Sequence, residues 1–156
     1  MSDMNTTQSN QNKISDDTIK LLRECDAGIK MGIEAINEVV NNVKDCKLKK
    51  ILTDSRDKHE RFQEEADELL KEYHDDGKDP SMMAKGMSWL KTNMKMTMDS
   101  SDSTVADLIT DGCDMGVKSL NRYLNQYKTA NDKAKKLAEK LIGEEENLRK
   151  EMKGYL

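Results

Sequence analysis

The sequence predicts an all-α protein, an antiparallel four-helix bundle made of two repeated helical hairpins joined by a crossover helix. Apolar residues recur at steps of three and four over stretches too long for strands. Charged residues make up 36% of the 156-residue chain and aromatics only 4%, with one proline, a mix suited to long surface-charged helices. Cys25-Asp26-Ala27-Gly28-Ile29-Lys30 returns as Cys113-Asp114-Met115-Gly116-Val117-Lys118. At nearly the same separation, Lys49-Lys50 and His59-Glu60 are echoed by Lys135-Lys136 and Glu145-Glu146.

Residues 1–14 are polar and lack the apolar run of a signal peptide, so they are expected to form a flexible tail. The first helix is predicted over about 15–43. Ser15 is placed to cap it, Asp16 and Asp17 put negative charge at its positive end, and Ile14 and Ile19 suit a hydrophobic staple. Its stripe runs Ile19, Leu22, Cys25, Ile29, Ile33, Ile36, Val40 and Val43. The second helix, over about 46–74 with Asp45 as cap, carries Leu48, Leu52, Ser55, His59, Phe62, Ala66, Leu69 and Tyr73. Asp75-Asp76-Gly77 should end it, with Gly77 in a left-handed cap and Pro80 opening the next element.

The crossover is predicted over 80–98, with Met83, Met87, Leu90 and Met94 on one stripe and Trp89 on its flank. A third helix follows over about 103–127, starting from a capping-box-like Thr104-Val105-Ala106-Asp107. Its stripe is Val105, Ile109, Cys113, Gly116, Leu120, Tyr123 and Tyr127. The fourth, over about 130–154, carries Leu137, Leu141, Glu145, Leu148, Met152 and Tyr155. Gly28 and Gly116 each cost a helix about 1 kcal/mol against alanine, so close helix approach is the expected reason for both.

Two antiparallel hairpins with one long connection form the topology of ferritin-like bundles. The chain resembles an uncharacterised bacterial family of ferritin-like four-helix proteins. The likeness lies in the Asp-x-Gly of the first and third helices and the Pro80-initiated crossover, with Ala84 and Gly86 ahead of Trp89. It covers residues 15–156 and implies a fold more than a function. The basic residues associated with the segment before that tryptophan are absent.

Ferritin-like iron sites take a Glu from each of two helices and a Glu-x-x-His from each of the others. Here the residue three before His59 is Arg56, and the residue three before Glu145 is Ile142, so neither motif is present. A reduced cluster remains. His59 and Glu145 interrupt apolar stripes at equivalent positions, and Asp26 and Asp114 each lie one residue round from a core cysteine. Converging at mid-bundle, Asp26, His59, Asp114 and Glu145 would suit a single Fe, Mn or Zn ion, or else a hydrogen-bonded polar network. Glu34 and Glu146 are second-tier candidates. Met94-x-Met96-x-Met98 has the spacing of copper(I) binders, although on a helix residues two apart point about 200° apart, and core filling serves equally well.

The net charge of −4 gives no pull toward nucleic acid or anionic membrane. No phosphate loop or Ser-His-Asp or Cys-His set stands out, so catalysis without a metal is not expected. The three cysteines are odd in number and have no zinc-like spacing, which suits buried thiols in a cytoplasmic protein. The reading is a non-enzymatic binding or interaction protein with a degenerate metal site and no expected cofactor. A partner or a second copy would meet the methionine-bearing crossover. The alternative is a metal-binding protein with storage or oxidase-type activity.

Overall fold

The computed structural model describes residues 2–75 and 101–156, which are helical with no strand among them. The elements are α1 (Ser2–Val40), α2 (Cys46–Lys71), α3 (Asp102–Gln126) and α4 (Asp132–Met152), with a closing 3-10 turn at Lys153–Tyr155. The crossover expected at 80–98, its Pro80 start, Trp89 and the Met94, Met96 and Met98 spacing lie outside the described residues. So does Gly77.

Two helix starts and one stop differ from expectation. α1 begins at Ser2, and not near Ser15. No glycine or proline precedes Ser15, so nothing breaks the helix there, and extension beyond a packed core costs little once a helix is nucleated. Residues 3–14 continue it as an exposed polar stretch. α3 is capped by Ser101, whose hydroxyl accepts from Thr104 N at 3.2 Å, so Thr104 belongs to the first turn instead of capping it. α2 ends at Lys71, earlier than predicted, and His74 follows in the left-handed region with φ 56°. Asp75 N donates to Leu70 O and His74 N to Lys71 O, both at 3.0 Å, which is the paired bonding of a Schellman stop. A non-glycine residue therefore holds the left-handed position. Asp45 caps α2 as expected, accepting from Leu48 N at 2.8 Å, and Asn131 caps α4 through Ala134 N at 2.9 Å.

Contacts at the ends fix the helix directions. Asp102, at the start of α3, accepts from Lys44 N and Asp45 N (2.8 and 2.9 Å) in the α1–α2 turn. In the α3–α4 turn, Thr129 N donates to Asp17 and Asn131 N to the Thr18 hydroxyl, at 3.1 and 2.8 Å. α1 and α4 thus run one way, α2 and α3 the other. Asp75, paired with Arg23, lies at the opposite end of the bundle from Ser101. The link between α2 and α3 joins ends separated by about the length of α2, ~39 Å for 26 residues.

The predicted stripes face inward, but they do not make one continuous core. One apolar cluster gathers Leu22, Cys25 and Ile29 with Ala66, Leu70, Leu137 and Leu141. Another gathers Ile36, Val40, Leu48, Leu52, Ile109, Leu148 and Met152. Every helix crosses from one to the other through residues that are polar or lack a side chain. These are Gly32 on α1, Ser55 and His59 on α2, Gly116 on α3, and Glu144 and Glu145 on α4. The functional candidates occupy this middle layer.

Candidate functional site

His59 is 1% exposed, because it holds a core position one turn below Ser55 on α2. Its Nδ1 lies 2.8 Å from the Ser55 carbonyl and its Nε2 2.8 Å from Glu145 Oε1. A carbonyl only accepts, so Nδ1 carries a proton. Opposite an ionised carboxylate, which only accepts, Nε2 carries one too, and the geometry then suits an imidazolium. Burial alone would pull its pKa down. The hydrogen bond and charge of Glu145 outweigh burial and hold it above the usual 6.5.

Glu145 also receives the Cys113 thiol. Burial, then the charge and hydrogen bond of Glu145, push that thiol far above its ordinary range. A raised thiol pKa disfavours the thiolate that acts as nucleophile, and a raised imidazole pKa disfavours the neutral ring that acts as base. His59, Cys113 and Glu145 form one hydrogen-bonded network. Beside it, the buried carboxylate of Glu144 accepts from Ser55 Oγ at 3.0 Å and pairs with Lys58 at 3.1 Å.

The other predicted ligands are elsewhere. Asp26 is fully buried, with Oδ2 accepting from Lys30 Nζ at 2.8 Å and Oδ1 without a partner among the described residues. Burial raises its pKa, Lys30 opposes the shift, and nearby Asp67 adds to it. Asp114 is exposed and bonded to Arg149 at 2.7 Å. Among the second-tier candidates, Glu146 is exposed and Glu34 half-buried. The four-residue constellation is therefore not assembled, because one residue round a helix turns a side chain by about 100° onto a different neighbour. Among the described residues no group of three or more His, Cys, Asp or Glu side chains is arranged to hold a metal ion.

The middle layer opens onto a cavity of about 300 Å³ between α1 and α3. His59, Cys113 and Glu145 line its inner side, and Met31, Met115 and Leu120 contribute to its apolar walls. Gly28 corrects the expectation of close helix approach. A Cβ there would meet nothing within 4 Å, so the residue leaves space. At Gly116 a Cβ would meet the Glu145 side chain at 3.4 Å, in ordinary contact. The tight position is Gly32, where a Cβ would lie 3.0 Å from both Cδ2 and Nε2 of His59.

Sequence reasoning missed Gly32, Glu144 and the cavity. Glu144 was accessible, since it follows Leu141 by three and so shares the inward face with Glu145. Gly32 falls one turn after Gly28, whereas Leu120 stands one turn after Gly116. No family model matches the chain, and no curated protein or solved structure matches it either.

Proposed function

We propose that this protein is a non-enzymatic binding protein on a ferritin-like frame, and that the cavity between α1 and α3 is its binding site. One observation carries the reading: an apolar cavity has the hydrogen-bonded His59–Glu145 pair on its inner side and a glycine, Gly28, in its wall. Binding sites for small molecules combine a mostly apolar lining with a few fixed polar groups in this way. Gly28 weakens α1 intrinsically while touching nothing, which has a physical reason if the space is used. Support for the frame comes from the helix directions, the single long connection and the repeated Cys-Asp-x-Gly segment.

The test is a neutral probe. Indole added to the full chain should shift the methyl resonances of Met31 and Met115, and Gly28→Leu should abolish the shifts while the protein remains folded. Shifts absent from the parent protein, or unchanged in the variant, would remove the reading.

A metal ion is the second reading. Nδ1 of His59 donates to a backbone carbonyl, the arrangement that orients Nε2 of metal-bound imidazoles. With Asp26 and Asp114 engaged elsewhere, only His59 and Glu145 of the four expected ligands are available at this point. Elemental mass spectrometry of protein purified without chelator decides it: stoichiometric Fe, Mn or Zn that falls in His59→Ala would favour the metal, and its absence the cavity.

A further inference from the structure

We infer that the cavity takes a small neutral ligand with one hydrogen-bond donor, an N–H or O–H group on an apolar body, and that Glu145 receives that donor. The inference rests on the cavity being a binding site and adds the polar group its occupant must carry.

Glu145 is an acceptor with capacity to spare. An ionised carboxylate offers about four acceptor positions. His59 Nε2 fills one of them, at Oε1. The Cys113 thiol is the other donor, and a thiol donates weakly. The second oxygen, Oε2, lies toward Gly116, where a Cβ would stand 3.4 Å from it. Gly116 and Glu145 both line the cavity, so the missing side chain on α3 leaves Oε2 open to the space between α1 and α3.

The surroundings decide the rest of the ligand. Leu120 and Leu141 belong to one apolar cluster, Ile36 and Ile109 to the other, and all four line the cavity. An apolar body can therefore touch both clusters with its donor in the polar layer between them. A hydrocarbon of the same shape would shield Oε2 from water and return nothing, and a carboxylate oxygen left dry and unpaired is costly. A charged ligand would lose its hydration on entering a mostly apolar space, while the charge of Glu145 is already met by His59. The volume of about 300 Å³ is at the small end of ligand cavities, which span about 300–1,000 Å³, and suits a body of one ring or two fused rings.

Indole and benzofuran share one shape, but only indole carries an N–H. Titrated calorimetrically into the full chain, indole should bind at least about tenfold more tightly, the discrimination expected of one unpaired buried acceptor. In a His59→Ala/Glu145→Leu variant, which removes the acceptor and leaves no charge unpaired, the two should bind alike. In the parent protein the N–H proton of bound indole should give a nuclear Overhauser contact to the Hα protons of Gly116, which adjoin Oε2. Benzylamine, charged at neutral pH, should bind more weakly than benzyl alcohol. Benzofuran that binds as well as indole, or an indole preference that persists in the variant, would overturn the inference while leaving the cavity as a binding site. An N–H that contacts other protons and not Gly116, or benzylamine that binds more tightly than the alcohol, would overturn it equally. If no probe binds at millimolar concentration and Met31 and Met115 do not shift with indole, the binding-site reading falls as well.

Discussion

Gly28 and Gly32 lie one turn apart on α1, and alanine should act on them with opposite sign. Each replacement removes a helix-interior glycine and so gains about 1 kcal/mol of intrinsic stability. At Gly28 nothing opposes that gain, because the new methyl group enters open space. At Gly32 it lands 3.0 Å from two atoms of the His59 ring, which must yield by a few tenths of an ångström. The ring is held on both sides, by the Ser55 carbonyl and by Glu145, each at 2.8 Å. Overpacking of this kind costs about 1–3 kcal/mol, and weakening a charged hydrogen bond adds to it. Gly28→Ala should therefore be stabilised by about 1 kcal/mol and Gly32→Ala destabilised by about 1–2 kcal/mol net. The separation corresponds to a melting-temperature difference of roughly 4–12 °C for a chain of this size. Urea unfolding followed by circular dichroism, below pH 6.5 where the imidazolium is intact, measures it. Repeating Gly32→Ala in a His59→Ala/Glu145→Leu background, which leaves neither charge unpaired, isolates the ring. There the substitution should become stabilising. Equal stabilisation by the two alanines in the parent protein would refute the reasoning, as would a Gly32 penalty that persists without the imidazole.

Three other outcomes are expected. Because His59 has a folded pKa above its unfolded value of 6.5, its pairing contributes fully below pH 6.5 and is lost as pH rises through the folded value. Unfolding free energy should fall across that window, by at most about 1.4 kcal/mol per pH unit, and a His59→Gln variant should lack the fall; a flat parent profile would contradict the imidazolium. His74→Gly should stabilise the protein by about 1 kcal/mol by relieving the left-handed backbone, and a loss of stability in denaturant titrations would show the imidazole to matter more than φ. Asp102→Ala removes the acceptor of both Lys44 N and Asp45 N and should cost about 1–3 kcal/mol; an unchanged urea midpoint would mean that water satisfies those amides.

The inward stripes were readable because a period of three and four residues can be satisfied only by one face of a helix. Ser55 and His59 stood out for the same reason, as polar groups at apolar positions. What periodicity does not carry is the direction of a residue at the edge of a stripe. Asp26 and Asp114 follow equivalent cysteines, yet one is buried against Lys30 and the other reaches Arg149 in the open. Lys30 has a counterpart in Lys118, so the local sequence does not separate the two; packing against other helices, Arg149 of α4 among them, does. Gly28 shows the same limit. A glycine inside a helix signals that something about space matters, and the sequence is silent on whether the space is closed or left open. The extension of α1 to Ser2 has another origin, since a polar segment without a breaker is compatible with both a coil and a solvated helix.

The bonds that join the two turns to the opposite hairpin set how the molecule comes apart. The backbone amide of Asp45, which begins α2, is satisfied by Asp102, and that of Asn131, which begins α4, by Thr18. Each hairpin thus supplies a group that completes the start of the other's second helix. Opening one hairpin strips acceptors from both ends of the bundle at once, so partial opening gains little freedom for its cost. Amide hydrogens at Asp45 and Asn131 should therefore exchange with solvent only at the rate of whole-molecule unfolding, although both lie in turns, where exchange is ordinarily fast.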